Sequence, residues 1–367
     1  MAAEGARYRV GIIAQAHLRA YRKIGAVEVV AGADVSEEVR TRWESEHGIP
    51  RMYATAAEML ERERLDLVSV CTWPPLRPEM VELACAHGVR GIVAEKPMAV
   101  DLAGCDRMIA AAERSGAVLI VGTQRRFHRR YVRMRELIDE GAIGEVVQIG
   151  VFNPTGDLLT SSTHMVDVMR YLLRDAPAEW VMGQIDTRDT GRRDGRLGFQ
   201  RWEATRTRYG HHIEAGAIGV VQFRGGTEAG EGSRPAGRGG ARGLIEVGIA
   251  SRSRPGYSAT VYGTEGMLEA SGDQIAEGEP WLRARLRGEG AWSAQEIEPN
   301  DAVQAEIEAL LQVLERGGTH PLDGRSARAG MEILMAVYES ARRRARVDLP
   351  FRGLSNPLEE MVSAGVL

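Results

Sequence analysis

Gly91-Ile92-Val93-Ala94-Glu95-Lys96-Pro97 passes from small and branched apolar residues straight into a charged pair and a proline. The apolar part reads as a short buried strand of a parallel sheet, and in open parallel sheets ligands collect beyond the carboxyl ends of the strands. Lys96 falls at such an end. Pro97 lacks a backbone N–H and accepts a cis peptide at modest cost, which would re-aim the lysine. Taken alone, the pair is better read as a surface Glu-Lys at a strand terminus. Its surroundings decide the fold. Working outward, strand-like runs at 8–13, 27–34, 65–72, 91–95 and 118–122 are separated by helical patterns. Leu18, Tyr21 and Ile24 recur at helical spacing, Ser36 suits an N-cap, and Asp101 caps a helix running toward Ser115. Strand, helix, strand, helix predicts a doubly wound parallel α/β sheet.

After residue 123 the grammar changes. Runs at 145–152, 213–223, 244–250 and 259–262 read as strands with few helices between them, which predicts an α+β domain with a largely antiparallel open sheet. The stretch 225–243 is rich in Gly, Arg and Glu and nearly free of apolar residues, so it reads as a long hairpin or loop. Helical patterns at 301–316 and 325–346 close the chain, the second with Met331, Leu334, Met335 and Tyr338 on one face, and both are expected to pack back on the sheet. The expected division is 1–122 and 123–367, in line with 367 residues being comfortable for two domains.

Charge and composition narrow the function. A net charge of −4 gives no general attraction to nucleic acid or anionic membranes. No run approaches the roughly 20 apolar residues of a membrane span, and the opening residues lack a basic-then-apolar signal pattern. The expectation is a cytoplasmic protein acting on a small molecule. The three cysteines, Cys71, Cys85 and Cys105, have no metal-ligand spacing and read as buried thiols rather than a disulfide framework. His211-His212 is a poor metal clamp, because adjacent strand residues face opposite sides. No metal is expected.

The runs Val93-Ala94-Glu95-Lys96-Pro97, Val121-Gly122-Thr123-Gln124-Arg125-Arg126-Phe127 and Thr163-His164-Met165-Val166-Asp167 resemble the Gfo/Idh/MocA family. The closing segments around His320-Pro321-Leu322-Asp323-Gly324-Arg325 and Val347-Asp348-Leu349-Pro350 are similar to that family as well. The resemblance implies an N-terminal Rossmann domain binding NAD or NADP. It also implies a C-terminal α/β domain whose open sheet carries the substrate site and a homo-oligomer interface. The implied substrate is a sugar, polyol or related alcohol, oxidised by hydride transfer. Lys96 and His164 are then the catalytic pair, Lys96 bonded to the reacting hydroxyl and His164 as general acid/base. The resemblance places Asp34, Thr72, Trp73, Glu95 and Lys96 on the cofactor, and Lys96, Arg125, Thr160 and His164 on the substrate. The chemistry agrees: an imidazole titrates near neutrality and an ammonium stabilises a developing alkoxide. A histidine satisfied in the core beside Asp167 is the plainer alternative.

Two departures from the family pattern matter. Many members carry an aspartate four residues before the histidine, where this chain has Thr160; Asp157 is nearby at the wrong spacing. A threonine hydrogen-bonds but is no carboxylate base. The larger departure is the missing G-x-G-x-x-G turn. After Gly11 no glycine recurs until Gly25, and about five residues of the usual pattern are absent between Ile13 and Ala14. The turn reads as a recent deletion, an incomplete gene model or an altered site, with the helix unwound or the strand cut short. Asp34 survives at the end of the second strand, where a carboxylate accepts from a ribose 2′-OH and repels a 2′-phosphate, favouring NAD over NADP. A non-catalytic relative that binds a ligand or partner is the competing reading, and transient oxidation during elimination or glycoside cleavage is a third. The basic run 125–133 is expected to be a solvated linker and helix start, Arg125 or Arg126 facing substrate. Arg342, Arg343, Arg344 and Arg346 are expected in the last turns of a helix.

Overall fold

The computed structural model describes residues 8–11, 15–154, 156–187, 207–225, 239–248, 257–272 and 280–367. The chain divides into two compact units, Met1–Phe127 with Asp301–Arg328, and His128–Asn300 with Ala329–Leu367.

In the first unit, β1 (Tyr8–Gly11), β2 (Val27–Ala33), β3 (Met52–Tyr53), β4 (Leu67–Val70), β5 (Gly91–Ala94) and β6 (Val118–Val121) form a parallel sheet in the order β3-β2-β1-β4-β5-β6. The order reverses between β1 and β4, which makes a crevice at their carboxyl ends. Helices α1 (Gln15–Lys23), α2 (Glu37–His47), α3 (Ala56–Arg62), α4 (Arg77–Ala86) and α5 (Leu102–Ser115) alternate with the strands. The expected caps form: Ser36 accepts from Val39 N at 3.4 Å and Asp101 from Gly104 N at 2.7 Å. Leu18 and Tyr21 on α1 are buried with Val10, Leu67, Val93 and Ile120 from the strands, so the stripe read at helical spacing is the face that meets the sheet.

In the second unit, α6 (Arg129–Asp139) precedes β7 (Val146–Asn153), α7 (Leu158–Leu172) and β8 (Ala178–Asp186). A small ribbon pairs β9 (Thr207–Arg208) with β10 (His211–His212). The main sheet adds β11 (Gly216–Phe223), β12 (Ala241–Gly248), β13 (Ser258–Gly263), β14 (Met267–Ala270), β15 (Leu282–Arg285), β16 (Ser293–Ala294) and β17 (Val347–Asp348). Its order is β16-β15-β14-β13-β7-β12-β11-β8-β17, antiparallel throughout except that β12 runs parallel to β7. Later in the chain, α8 (Ala302–Arg316) belongs to the first unit and places Ile307 and Leu310 in its core. α9 (Gly324–Arg343) and α10 (Pro357–Ser363) follow.

One face of the second sheet is covered by helix. Gly243 on β12 admits Met169 of α7, and an added Cβ there would collide with its Sδ. Val337 of α9 sits against Gly183 and Gly219 in the same way. On the opposite face Met182 and Ile218 are about half exposed.

Three expectations are corrected. Strand β12 spans 241–248 and so claims part of the stretch read as loop; residues 226–238 of that stretch lie outside the described residues. The basic run is solvated only in part: Arg129 is exposed and Arg133 half-buried, but Arg125, Arg126 and Arg130 are buried, Arg126 Nη1 donating to the Pro321 carbonyl at 3.0 Å and the Arg130 guanidinium stacking 4.9 Å over the Trp281 ring. Helix α9 ends at Arg343, so Arg344, at φ 54°, and Arg346 lie beyond it.

Candidate functional site

In the first unit the cofactor candidates stand at one edge of the sheet, each just past the carboxyl end of a strand. Asp34 follows β2, its Oδ1 accepting from Ser36 N at 2.8 Å, while Arg40 donates to the Asp34 carbonyl at 2.7 Å. Thr72 and Trp73 follow β4; the Thr72 hydroxyl is buried with no hydrogen-bond partner among the described residues, whereas Trp73 is exposed. Glu95 and Lys96 follow β5, the Glu95 carboxylate accepting from Lys96 N at 3.1 Å, and the Lys96–Pro97 peptide is cis. Arg125 lies past β6 in a 3-10 turn, 8% exposed.

Arg77, at the start of α4, ties two of these loops together. It is 3% exposed and donates to the main-chain carbonyls of Thr72 and Pro97. Burial pushes its guanidinium down to about 10. An orphaned hydroxyl at Thr72, a carboxylate at Asp34 and an ammonium past β5, all on the crevice side, fit the ribose and nicotinamide parts of a dinucleotide. The shortened phosphate turn, at residues 12–14, lies outside the described residues.

Just beyond that turn the structure places a cluster that sequence reasoning missed. His17 on α1 is 2% exposed; its Nδ1 lies 2.9 Å from Ser69 Oγ and its Nε2 3.2 Å from Glu95 Oε1. Tyr21 OH meets the same serine at 2.9 Å. Burial opposes a charge on His17 most strongly, yet the Cys71 thiol and Glu95 carboxylate beside it leave its pKa raised. Glu95 answers in kind: burial works to raise it, but His17, Lys96 and Arg77 hold it down to about 2. The pair therefore links α1 to the loop that carries Lys96. In the sequence the signal was faint, because His17 and Glu95 are 78 positions apart and only the fold joins them.

In the second unit, Thr160 and His164 lie one turn apart on α7 and are both buried, at 2% and 6% exposure. Asp157 is the N-cap of that helix. Its Oδ1 accepts from Thr160 N at 2.5 Å and its Oδ2 pairs with Arg208 at 3.2 Å, so its carboxylate is occupied with structure. Glu214, 2% exposed, accepts from Leu158 N at 2.5 Å and from Tyr338 OH at 2.8 Å. Burial, with the nearby Asp157 charge, pushes Glu214 up to about 8. His211 Nε2 lies 3.2 Å from Thr160 Oγ1, and Tyr257 meets the His164 ring edge-on at 6.4 Å between centroids. His212, on the other side of the ribbon, pairs with Glu359 at 2.5 Å. The adjacent histidines thus diverge, as alternation on a strand requires.

Among the described residues no group of three or more His, Cys, Asp or Glu is set to hold a metal ion, and no helix is long and apolar enough to cross a membrane. The three cysteines are free, and Cys85 and Cys105 are buried as expected, whereas Cys71, just past β4, is only half-buried.

A parallel sheet with its crevice at a strand-order reversal, joined in sequence to a nine-stranded mixed sheet, defines a two-part α/β protein of the Rossmann type. Residues 10–123 match the family described as "Oxidoreductase family, NAD-binding Rossmann fold". The D-apiose dehydrogenase of Paraburkholderia graminis is 27% identical over 384 residues, covering 99% of this chain and 94% of that protein. The myo-inositol 2-dehydrogenase of Thermotoga maritima is 27% identical over 183 residues, 46% of this chain and 54% of that protein, so this second match spans about half of the relative. Among solved structures, an oxidoreductase from Agrobacterium radiobacter in complex with NAD+, L-tartaric acid and magnesium has the same fold, with a TM-score of 0.74 at 17% identity over 94% of this chain and 98% of that one.

Proposed function

We propose that the protein is an NAD-dependent oxidoreductase that moves a hydride between nicotinamide and a secondary alcohol carbon of a sugar, polyol or related compound. The observation that carries this reading is the row Asp34, Thr72–Trp73 and Glu95–Lys96 past the carboxyl ends of β2, β4 and β5, astride the strand-order reversal. The names of its relatives, dehydrogenases of D-apiose and myo-inositol, support the substrate class.

Asp34 accepts from the ribose 2′-OH and repels a 2′-phosphate, which favours NAD over NADP. Thr72, Trp73 and Glu95 line the remaining length of the cofactor. Nicotinamide, when bound, supplies the hydride acceptor or donor. The Lys96 ammonium bonds the oxygen of the reacting hydroxyl and lowers the cost of negative charge there. His164 takes the hydroxyl proton on oxidation and returns it on reduction, and Thr160 and Arg125 hold the substrate. The exposed sheet face around Met182 and Ile218 would join copies of the chain into a homo-oligomer.

The test is NADH formation on a panel of polyols and sugars that includes myo-inositol and D-apiose, run with wild type, Lys96→Ala and His164→Asn. Turnover that falls at least a hundredfold in either variant supports the roles; variants as active as wild type refute them. A second reading, a ligand-binding relative without turnover, is favoured by the lack of any glycine between Gly11 and Gly25. A wild type that binds NAD yet turns over nothing on the panel supports that reading.

A further inference from the structure

The position one turn before His164, where a carboxylate would be an obligate hydrogen-bond acceptor, holds Thr160, which alone has no fixed polarity. We infer that His211 fixes it: the Thr160–His211 pair presents an acceptor to a hydroxyl of the substrate, replacing a carboxylate's hydrogen bonding without its charge. The inference rests on the dehydrogenase reading of α7.

Elementary donor and acceptor accounting carries the argument. His211 is 3% exposed, and its Nδ1 lies 2.9 Å from the carbonyl oxygen of His212. A carbonyl only accepts, so Nδ1 carries the hydrogen. In the neutral ring Nε2 is then a bare acceptor, and 3.2 Å away stands Thr160 Oγ1. The threonine must donate to it. A hydroxyl has one proton, so whatever else this oxygen meets, it meets with a lone pair.

The surroundings hold the arrangement still. Thr160 N is bound to the Asp157 carboxylate, Leu158 N to Glu214, and Asp157 in turn to Arg208, so the first turn of α7 is pinned from three sides. Rotating the hydroxyl away would leave Nε2 without its donor in a buried site, which is costly. A substrate group that donates, such as a hydroxyl next to the reacting carbon, is therefore matched. A methoxy or deoxy group there is not.

The pairing is read first without turnover. In the full chain labelled with 15N-histidine, His211 should show a protonated Nδ1 and a hydrogen-bonded, unprotonated Nε2, and Thr160→Val should move the Nε2 resonance. A protonated Nε2, or one that ignores Thr160→Val, overturns the inference. The kinetic arm uses the polyol giving the highest NADH rate, with Thr160→Val, His211→Phe and the double variant, each checked for a wild-type melting profile. KM should rise about tenfold in each single variant with kcat changed far less, as for a contact made equally in ground and transition states. The double variant should be no worse than Thr160→Val, since both remove one interaction. Multiplying penalties, or an unmoved KM, refute the pair's role. A wild type silent on every polyol counts against the dehydrogenase reading, and the nitrogen resonances then decide the pairing by themselves.

Discussion

Glu214 makes a pH-dependent stability prediction that can be worked from its surroundings. Its carboxyl is 2% exposed and raised from 4.5 to about 8 by burial and the neighbouring Asp157. A carboxyl whose folded pKa lies above its unfolded one keeps its proton in the native state after the unfolded chain has lost its own. Its contribution is thus fully present below about pH 4.5 and is lost as pH rises through about 8. Inside that window the native state holds nearly one extra proton, and the slope approaches a loss of about 1.4 kcal/mol per pH unit. Glu214→Gln keeps an oxygen for Leu158 N and a polar partner for Tyr338 OH but cannot ionise. Denaturant unfolding of wild type and Glu214→Gln, followed by tryptophan fluorescence, should therefore diverge with pH. The difference in stability should shift in favour of the variant by about 2 kcal/mol between roughly pH 5.5 and 7.5. Curves that run parallel across that range would refute the assignment of a raised carboxyl at this position.

Other outcomes follow from the first unit. Arg77→Met leaves the carbonyls of Thr72 and Pro97 without their charged donor and should cost about 2–4 kcal/mol in denaturant unfolding; a change within about 0.5 kcal/mol would show the clamp to be idle. His17→Gln removes the partner that helps hold Glu95 down to about 2. The depressed carboxylate stabilises above its unfolded pKa and loses that contribution as pH falls through about 2, so the variant should begin acid unfolding at higher pH than wild type; coincident acid titrations would count against the pair. Asp34→Asn should weaken NAD binding about tenfold and narrow the preference over NADP, measured calorimetrically with both cofactors; an unchanged preference would remove Asp34 from the ribose.

Much of the fold was legible because burial writes a period into the chain. The alternation in the first 122 residues, the caps at Ser36 and Asp101, and the short apolar run that ends at Ala94 all reappear as elements with the expected faces inward. The antiparallel character of the second sheet was legible from strands following one another; the single parallel pairing of β7 with β12 was not, since it joins segments about 90 residues apart. The site divides along the same line. Lys96 and His164 sit in motifs, so local sequence points to them. His17 with Glu95, and Thr160 with His211, are pairs made by tertiary approach, and nothing in their local sequence distinguishes such a histidine from one that only fills the core. Burial of Arg125, Arg126 and Arg130 was hidden because a run of arginines has the composition of a solvated surface, while the carbonyl and ring that receive Arg126 and Arg130 come from residues 321 and 281.

The central claim, that a chain without the glycine-rich turn still holds a nicotinamide dinucleotide, is tested most directly by calorimetric titration of the purified protein with NAD and NADH. The account predicts saturable binding with a Kd between micromolar and low millimolar. No detectable heat up to several millimolar of either form would contradict it.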